Sequence, residues 1–323
     1  MRSELAFSAD DLARTRFAVS PMWEVVASYQ LLASPARHPL HQPWLDQVRP
    51  RVAAAGLDAG WLAALVPAQG YVPDFLTPLP DDPAPTLAAE LAAIRATAPR
   101  DVRTDLDQYP TSNPRAQALR ADPPGRLAQL ADEVATYWDL ALGPYWAKVR
   151  AVLDADVFRR ARQVAERGTG HLFNSLHETL SWDNNTLQLV RRQCALTRDG
   201  IGAGLVLVPS AFVGRVLTWS RPPHPPQLLY PARGAATLWE HQPVRHHAAI
   251  AAVLGRSRAL LLTELETPTS TTDLARRTGI SAAGVSQHLT ALRDAGIVST
   301  HRAGRSVLYA RTAVAESLLA DTD

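Results

Sequence analysis

The sequence predicts an α+β protein: a mainly helical N-terminal domain with a small antiparallel sheet, followed by a short C-terminal domain of helices closed by one hairpin. Three observations lead there. Apolar residues recur at helical spacing in the first part of the chain, period-two alternation begins only near Leu180, and the composition changes near residue 240. All eight tryptophans and all six phenylalanines lie at or before Trp239, only Tyr309 of the seven tyrosines lies beyond it, and none of the 25 prolines follows Pro268. The division is therefore expected at 1–245 and 246–323.

In chain order, helices are expected at Asp10–Phe17 and at Pro21–Ala33, where proline suits a first helical turn. Trp23, Val26, Ala27 and Leu31 recur at helical spacing in the second of these. Further helices are expected at Pro43–Ala55, Thr86–Ala96, Pro123–Leu142 and Pro144–Arg167. Between them, Pro67, Pro73, Pro78, Pro80, Pro83 and Pro85 make Val66–Pro85 a loop. Leu180–Trp182 and Thr186–Val190 alternate around Asp183-Asn184-Asn185, whose residues tolerate positive φ, which reads as a hairpin. Strands come next at Gly204–Pro209, Arg215–Trp219 and Gln227–Tyr230, the last two joined by the stiff run Arg221-Pro222-Pro223-His224-Pro225-Pro226.

With 323 residues, 46% hydrophobic and 20% charged, the chain can build a substantial core, which excludes intrinsic disorder. One cysteine, Cys194, excludes a disulfide scaffold and a CxxC site, so a cytoplasmic protein is expected. Glu4, Asp10, Asp11 and Glu24 interrupt the start, so no export signal is expected there, and no apolar run approaches the ~20 residues of a membrane span. Lys148 is the only lysine among 33 basic side chains, and the abundance of arginine is in part compositional habit. A net charge of +2 then says little about partners; what matters is where the charge gathers.

In the last part of the chain, Leu254, Ala259, Leu260, Leu262 and Leu265 mark a helix over Leu254–Glu266. Ser270 caps a short helix that ends at Gly279, and Ser281 caps a second with Val285, Leu289 and Leu292 as its apolar stripe, ending at Gly296. Two short helices about a turn containing glycine form a helix-turn-helix. The other side of the second helix carries Ala283, Ser286, Gln287, Thr290 and Arg293. Small residues there let the backbone approach base edges, and Ser and Gln can exchange hydrogen bonds with them. Ile297–Arg302 and Ser306–Ala310 then read as a hairpin, the wing, with a basic tip at Ala303-Gly304-Arg305. From Arg276 to Arg311 six arginines face one acid, Asp294, a local excess of +5.

This segment resembles the winged helix of ArsR-type bacterial transcriptional regulators. The matching text is Thr272-Asp273-Leu274-Ala275, Ile280-Ser281, Val285-Ser286-Gln287-His288-Leu289, Leu292–Val298, Arg302–Arg305 and Leu308-Tyr309. The part before it resembles an uncharacterised domain that precedes this winged helix in some actinobacterial regulators, through Trp23–Ser28, Gly70–Leu76 and Leu229–Gly234. The resemblance implies a homodimer on double-stranded DNA that represses transcription in the absence of its ligand. Ser286 and Gln287 are expected at base edges and Thr290, Arg293, Arg302 and Arg305 on phosphates, with Ser281 and Ala283 at the start of the same DNA-binding helix. Metal-sensing members often carry cysteines in the helix matching Ser270–Thr278; here there are none, which removes thiolate sensing at that place.

Residues 1–245 are then expected to supply regulation or dimerisation, with a small-molecule effector as candidate ligand. Trp23, Tyr71, Phe75, Trp138, Tyr145 and Trp146 are the candidate lining of its pocket, since aromatics line pockets as well as fill cores. No metal, cofactor or catalytic site is expected. His241, His246 and His247 lack a spaced carboxylate or thiolate apart from Glu240, and His171, His177 and Glu178 do not fit HExxH. His288 is expected to pack rather than to read bases, Cys194 has no partner thiol, and the glycines of Gly200–Gly204 precede a strand rather than a helix. The alternative to a regulator is an enzyme or small-molecule-binding protein with a fused DNA-binding module, which needs a catalytic grouping within residues 1–245.

Overall fold

A computed structural model describes residues 2–110, 112–190, 197–198, 203–219, 224–239, 247–303 and 306–319. The chain divides into two compact units. One comprises Met1–Ala36, Ala63–Ala131 and Val152–Ala235; the other comprises Arg37–Leu62, Asp132–Ala151 and Ala236–Asp323. Neither is one continuous stretch of sequence.

The chain opens with β1 (Arg2–Ala6), α1 (Ala9–Ala13), β2 (Arg16–Phe17) and α2 (Pro21–Ala33), then α3 (Gln42–Ala54) and α4 (Trp61–Leu65). It continues with α5 (Leu87–Arg95), α6 (Pro99–Leu106), α7 (Pro114–Ala121), α8 (Pro123–Ala141) and α9 (Trp146–Leu176). Strands come next at β3 (Leu180–Asp183), β4 (Thr186–Val190), β5 (Thr197–Arg198), β6 (Val206–Ser210), β7 (Leu217–Trp219) and β8 (Gln227–Pro231). The remainder is α10 (His247–Leu254), α11 (Arg256–Glu264), β9 (Thr269–Ser270), α12 (Thr271–Thr278), α13 (Ala282–Asp294), β10 (Val298–Ala303), β11 (Ser306–Arg311) and α14 (Ala313–Leu319).

The helical N-terminal reading holds, with local differences that have physical causes. The helix expected over Asp10–Phe17 stops at Ala13, because the Arg16 N–H donates to Leu205 O (2.9 Å) and the Ala18 N–H to Leu207 O (3.0 Å), which draws Arg16–Phe17 into a sheet. Pro144 lies in the 3-10 turn Gly143–Tyr145, so α9 starts later than expected and runs past Arg167 to Leu176, interrupted at Gly168. The helix expected over Leu254–Glu266 is α11, which starts at Arg256 after Gly255 and ends at Glu264, and a further helix, α10, precedes it. α6 and α7 lie where the apolar spacing is weak; each begins at a proline, and Asn113 caps the second by accepting from the Ala116 N–H. The Val66–Pro85 loop is tied down, with buried Phe75 donating its N–H to the Asp105 carboxylate (3.0 Å) and the Tyr109 hydroxyl donating to Tyr71 O (3.1 Å).

In the first unit the hairpin β3–β4 joins β1 in the sheet order β3-β4-β1-β5; β1 was not expected from the sequence, since it pairs with a partner some 180 residues away, Leu5 opposite Leu187. The second sheet has the order β2-β6-β8-β7 and is mixed, with β2–β6 and β6–β8 parallel. Leu5, Phe173, Leu187, Leu207 and Leu228 form one buried cluster, and Ala18, Trp23, Val206, Val208 and Leu229 another. No helix of the described residues is long and apolar enough to cross a membrane.

Two buried acids organise the start of α2. Ser20 caps the helix, and Glu90 accepts from the Ser20 hydroxyl (2.6 Å) and from the Met22 N–H (2.8 Å). Glu24, fully buried, accepts from the Ala211 N–H (3.1 Å). Burial pushes Glu24 from 4.5 up to about 8 and Glu90 up to about 7, the hydrogen bonds only partly offsetting it. A carboxyl raised in the folded state contributes stability that is complete below its unfolded value and is lost as pH rises through the folded value. Melting between pH 5 and pH 8 should show stability declining, and Glu24→Gln, which retains an acceptor for Ala211, should flatten that decline and raise stability at pH 8 by on the order of 1–3 kcal/mol.

Candidate nucleic-acid interface

The winged helix lies in the second unit. Its buried core is Leu261, Leu262 and Leu265 after α10, Leu274 of α12, Val285, Leu289 and Leu292 of α13, and Ile297, Val298, Tyr309 and Ala315. Each piece is set locally. The Ser270 hydroxyl accepts from the Asp273 N–H (3.2 Å) and donates to the Asp273 carboxylate (2.8 Å), which starts α12. Gly279 ends α12 at φ +72°, a conformation that side-chain-bearing residues rarely adopt, and so turns the chain toward the next helix. Ser281 starts α13 by accepting from the Gly284 N–H (3.2 Å). The Ile297 N–H returns to Leu292 O (2.9 Å), and β10 and β11 pair antiparallel from Val298 opposite Arg311 to Ala303 opposite Ser306, with β9 on the outer side of β11.

α13 has two faces. Val285 and Leu289 have no exposed surface and Leu292 has 1%. On the other face Ser281, Ala283, Ser286, Gln287 and Arg293 are exposed and Thr290 is half-buried. The spacing 283, 286, 287, 290 is that of one helical side. His288 is half-buried beside the stripe. Arg302 is exposed on β10, while Arg305 at the wing tip lies outside the described residues.

The basic excess is distributed less simply than a count suggests. Arg276 is paired with Asp273 (2.7 Å) and Arg293 with Asp294 (2.8 Å), both at exposed positions where such pairs hold the side chain only weakly. Arg311 is buried and points inward: its Nε donates to Leu262 O and its Nη2 to Thr263 O, each at 2.7 Å. It clamps the end of α11 to the wing and is a structural arginine. Its signal in the sequence was hidden, because an arginine at the end of a strand looks the same whether it faces water or a helix terminus.

The six candidate pocket aromatics fall in separate places. Trp23 is buried in the β2-β6-β8 cluster, its Nε1 donating to the Gln227 side chain (2.8 Å). Tyr71 is exposed and edge-on to Tyr109, and Phe75 is buried in the same loop. In the other unit, Trp138 and Trp146 pack with ring centroids 4.9 Å apart. Tyr145 donates to the Gln47 side chain (2.8 Å) and meets Trp239 edge-on. Among the described residues no group of three or more His, Cys, Asp or Glu could hold a metal ion. His241, His246, Cys194 and Gly200–Gly202 lie outside the described residues, as does the side chain of His247.

Residues 256–300 match the family model for a bacterial regulatory protein, arsR family. The match takes in α11, α12, α13 and the start of β10, and it supports a DNA-binding transcriptional regulator. No curated protein and no solved structure matches the chain. Leu289→Ala removes the centre of the buried stripe and should cost about 2–5 kcal/mol in chemical denaturation of the unit; a loss below ~1 kcal/mol would mean that α13 is not anchored through this side chain.

Proposed function

We propose that the protein is a sequence-specific transcriptional repressor of the ArsR type, a cytoplasmic, non-enzymatic homodimer whose residues 246–323 bind double-stranded DNA and whose residues 1–245 regulate that binding. The observation that carries this reading is the division of α13 into a buried apolar stripe and an outward face of small and hydrogen-bonding residues. Ser286 and Gln287 then reach base edges, with Ser281 and Ala283 at the close approach of the helix start. Thr290, Arg293 and Arg302 are assigned to phosphates, and Arg305, by its place in the sequence, with them. In a dimer, two such helices read half-sites about 34 Å apart.

The dimer reading has support in α10 and α14. α10, His-Ala-Ala-Ile-Ala-Ala-Val-Leu, contains no Asp, Glu, Lys or Arg, yet from Ala249 to Leu254 none of its side chains is buried, and Val253 is 83% exposed. It lies alongside α14, where Val314 and Leu318 are 53% and 47% exposed. An apolar helix left in water is costly, and a second copy would cover it. A small-molecule effector on residues 1–245 would act by binding the DNA-competent and incompetent dimers with different affinity, and Trp138 with Trp146, whose rings meet, is a candidate contact for it.

The test is a gel shift and footprint on the protein's own upstream region at several salt concentrations. If four phosphates per protomer are neutralised, log K against log salt should have a slope of roughly −7 for the dimer. Arg302→Ala should weaken binding to all sequences alike, and Gln287→Ala should change which sequences are preferred; equal losses on every sequence for both variants contradict these roles. Val253→Arg should give a monomer in sedimentation and lose on the order of 100-fold in DNA affinity, whereas an intact dimer would place the interface elsewhere.

A further inference from the structure

The wing does not stand on the helix-turn-helix alone. β10 and β11 also pack on the Gly143–Tyr145 turn, which joins α8 to α9 far earlier in the chain and belongs to the same compact unit. The contact centres on Gly143 and His301. A Cβ on Gly143 would stand 3.0 Å from the His301 Nδ1, 3.3 Å from its Cε1 and 3.2 Å from the Trp138 Nε1. Those distances are tighter than ordinary carbon contacts, so the imidazole lies against bare backbone, and a side chain at 143 would make the ring give by a few tenths of an ångström. The ring is held from its other side, where Nε2 and the Ser299 hydroxyl are 2.8 Å apart. Nearby, Lys148 at the start of α9 is half-buried within the field of Glu266, Glu316 and Arg311, so the root of the wing faces the same hairpin.

The neighbour of His301 on its strand links this contact to DNA binding. His301 faces inward, and Arg302, the next residue, is exposed. In a strand neighbouring side chains point to opposite faces, so the seating of one sets the position of the other. We propose that Gly143 and His301 are positioning residues for DNA binding, the turn seating the wing through the His301 imidazole so that Arg302 is held outward toward the phosphate backbone. The proposal rests on the DNA-binding reading and extends it to residues outside the winged helix.

The seat has a pH dependence of definite sign. Burial lowers the His301 pKa below its ordinary value, and Asp139 on α8 offsets this only in part. Asp139 is itself raised by burial and lowered by His301. Among the described residues no other charge is placed against the imidazole by the elements around it: the turn brings Tyr145, whose hydroxyl goes to Gln47, and β11 brings Leu308 opposite. A histidine lowered in the seated state favours seating at high pH, and the preference is lost as pH falls through the ordinary imidazole range.

The experiment uses the full chain, DNA affinity by anisotropy from pH 8 to pH 5.5, and hydrogen exchange of residues 298–303. Wild type should lose affinity and strand protection toward low pH. His301→Asn, which stays neutral but lacks the ring that meets Gly143, should bind more weakly than wild type at pH 8 and show a flatter profile. Gly143→Val should weaken binding about five- to tenfold at every pH, the scale of one charge-assisted contact, without changing sequence preference. If melting shows that Gly143→Val is poorly folded, Gly143→Ala should give a smaller loss of the same kind. Coincident pH profiles for wild type and His301→Asn, or full affinity in a folded Gly143→Val, overturn the proposal. If strand protection responds as described but wild type binds no DNA at low salt, the seat exists, and its role in DNA binding falls together with the broader reading.

Discussion

The burial of one stripe on α13 is the constraint on which the rest depends. Val285, Leu289 and Leu292 sit in a core with Leu261, Leu262, Leu265 and Leu274, and a helix anchored along that line has no rotational freedom left. Its opposite side is then committed to solvent. Ser286, Gln287 and Arg293 there are exposed, which leaves them free to contact a partner. Serine caps and the left-handed glycine between α12 and α13 deliver the two helices to that core at a fixed angle.

Charge follows the same logic of placement over number. The arginines between Arg276 and Arg311 look equivalent in a count, yet Arg311 closes carbonyls at the end of α11 and Arg276 and Arg293 have acidic neighbours. Arg302 is exposed and has no such neighbour among the described residues. A guanidinium buried against two carbonyls supplies hydrogen bonds to a helix end that would otherwise be unsatisfied; one on the open face of a strand supplies charge to whatever approaches.

The unit that holds the winged helix is assembled from three separated stretches, and the bonds within it explain how they cohere. The Trp44 Nε1 donates to Ala141 O (2.8 Å), and the Glu133 carboxylate accepts from the Trp61 and Leu62 N–H groups, both at 2.8 Å. Trp239 donates to the His41 ring (3.0 Å). These contacts join α3, the start of α4 and the α8–α9 hairpin, and the wing lies on that hairpin through His301.

Much of this was readable from local pattern. The ends of α2 and α8, the β3–β4 hairpin with its Asn184-Asn185 turn at positive φ, and the two helices of the helix-turn-helix follow from caps, prolines and apolar spacing, interactions that reach only a few residues along the chain. So does the outward face of α13, because helical period alone separates Gln287 from Leu289. Local pattern left open whatever depends on a distant partner. Strand β1 exists because β4 is beside it, and Arg16–Phe17 leaves the helix because Leu205 O and Leu207 O accept from the N–H groups of Arg16 and Ala18. Glu24 and Glu90 look like surface acids until the chain buries them, and His301 acquires its place only when Gly143 is brought against it. Short-range preferences are written in consecutive residues, whereas burial and close approach are decided by which segments meet in space.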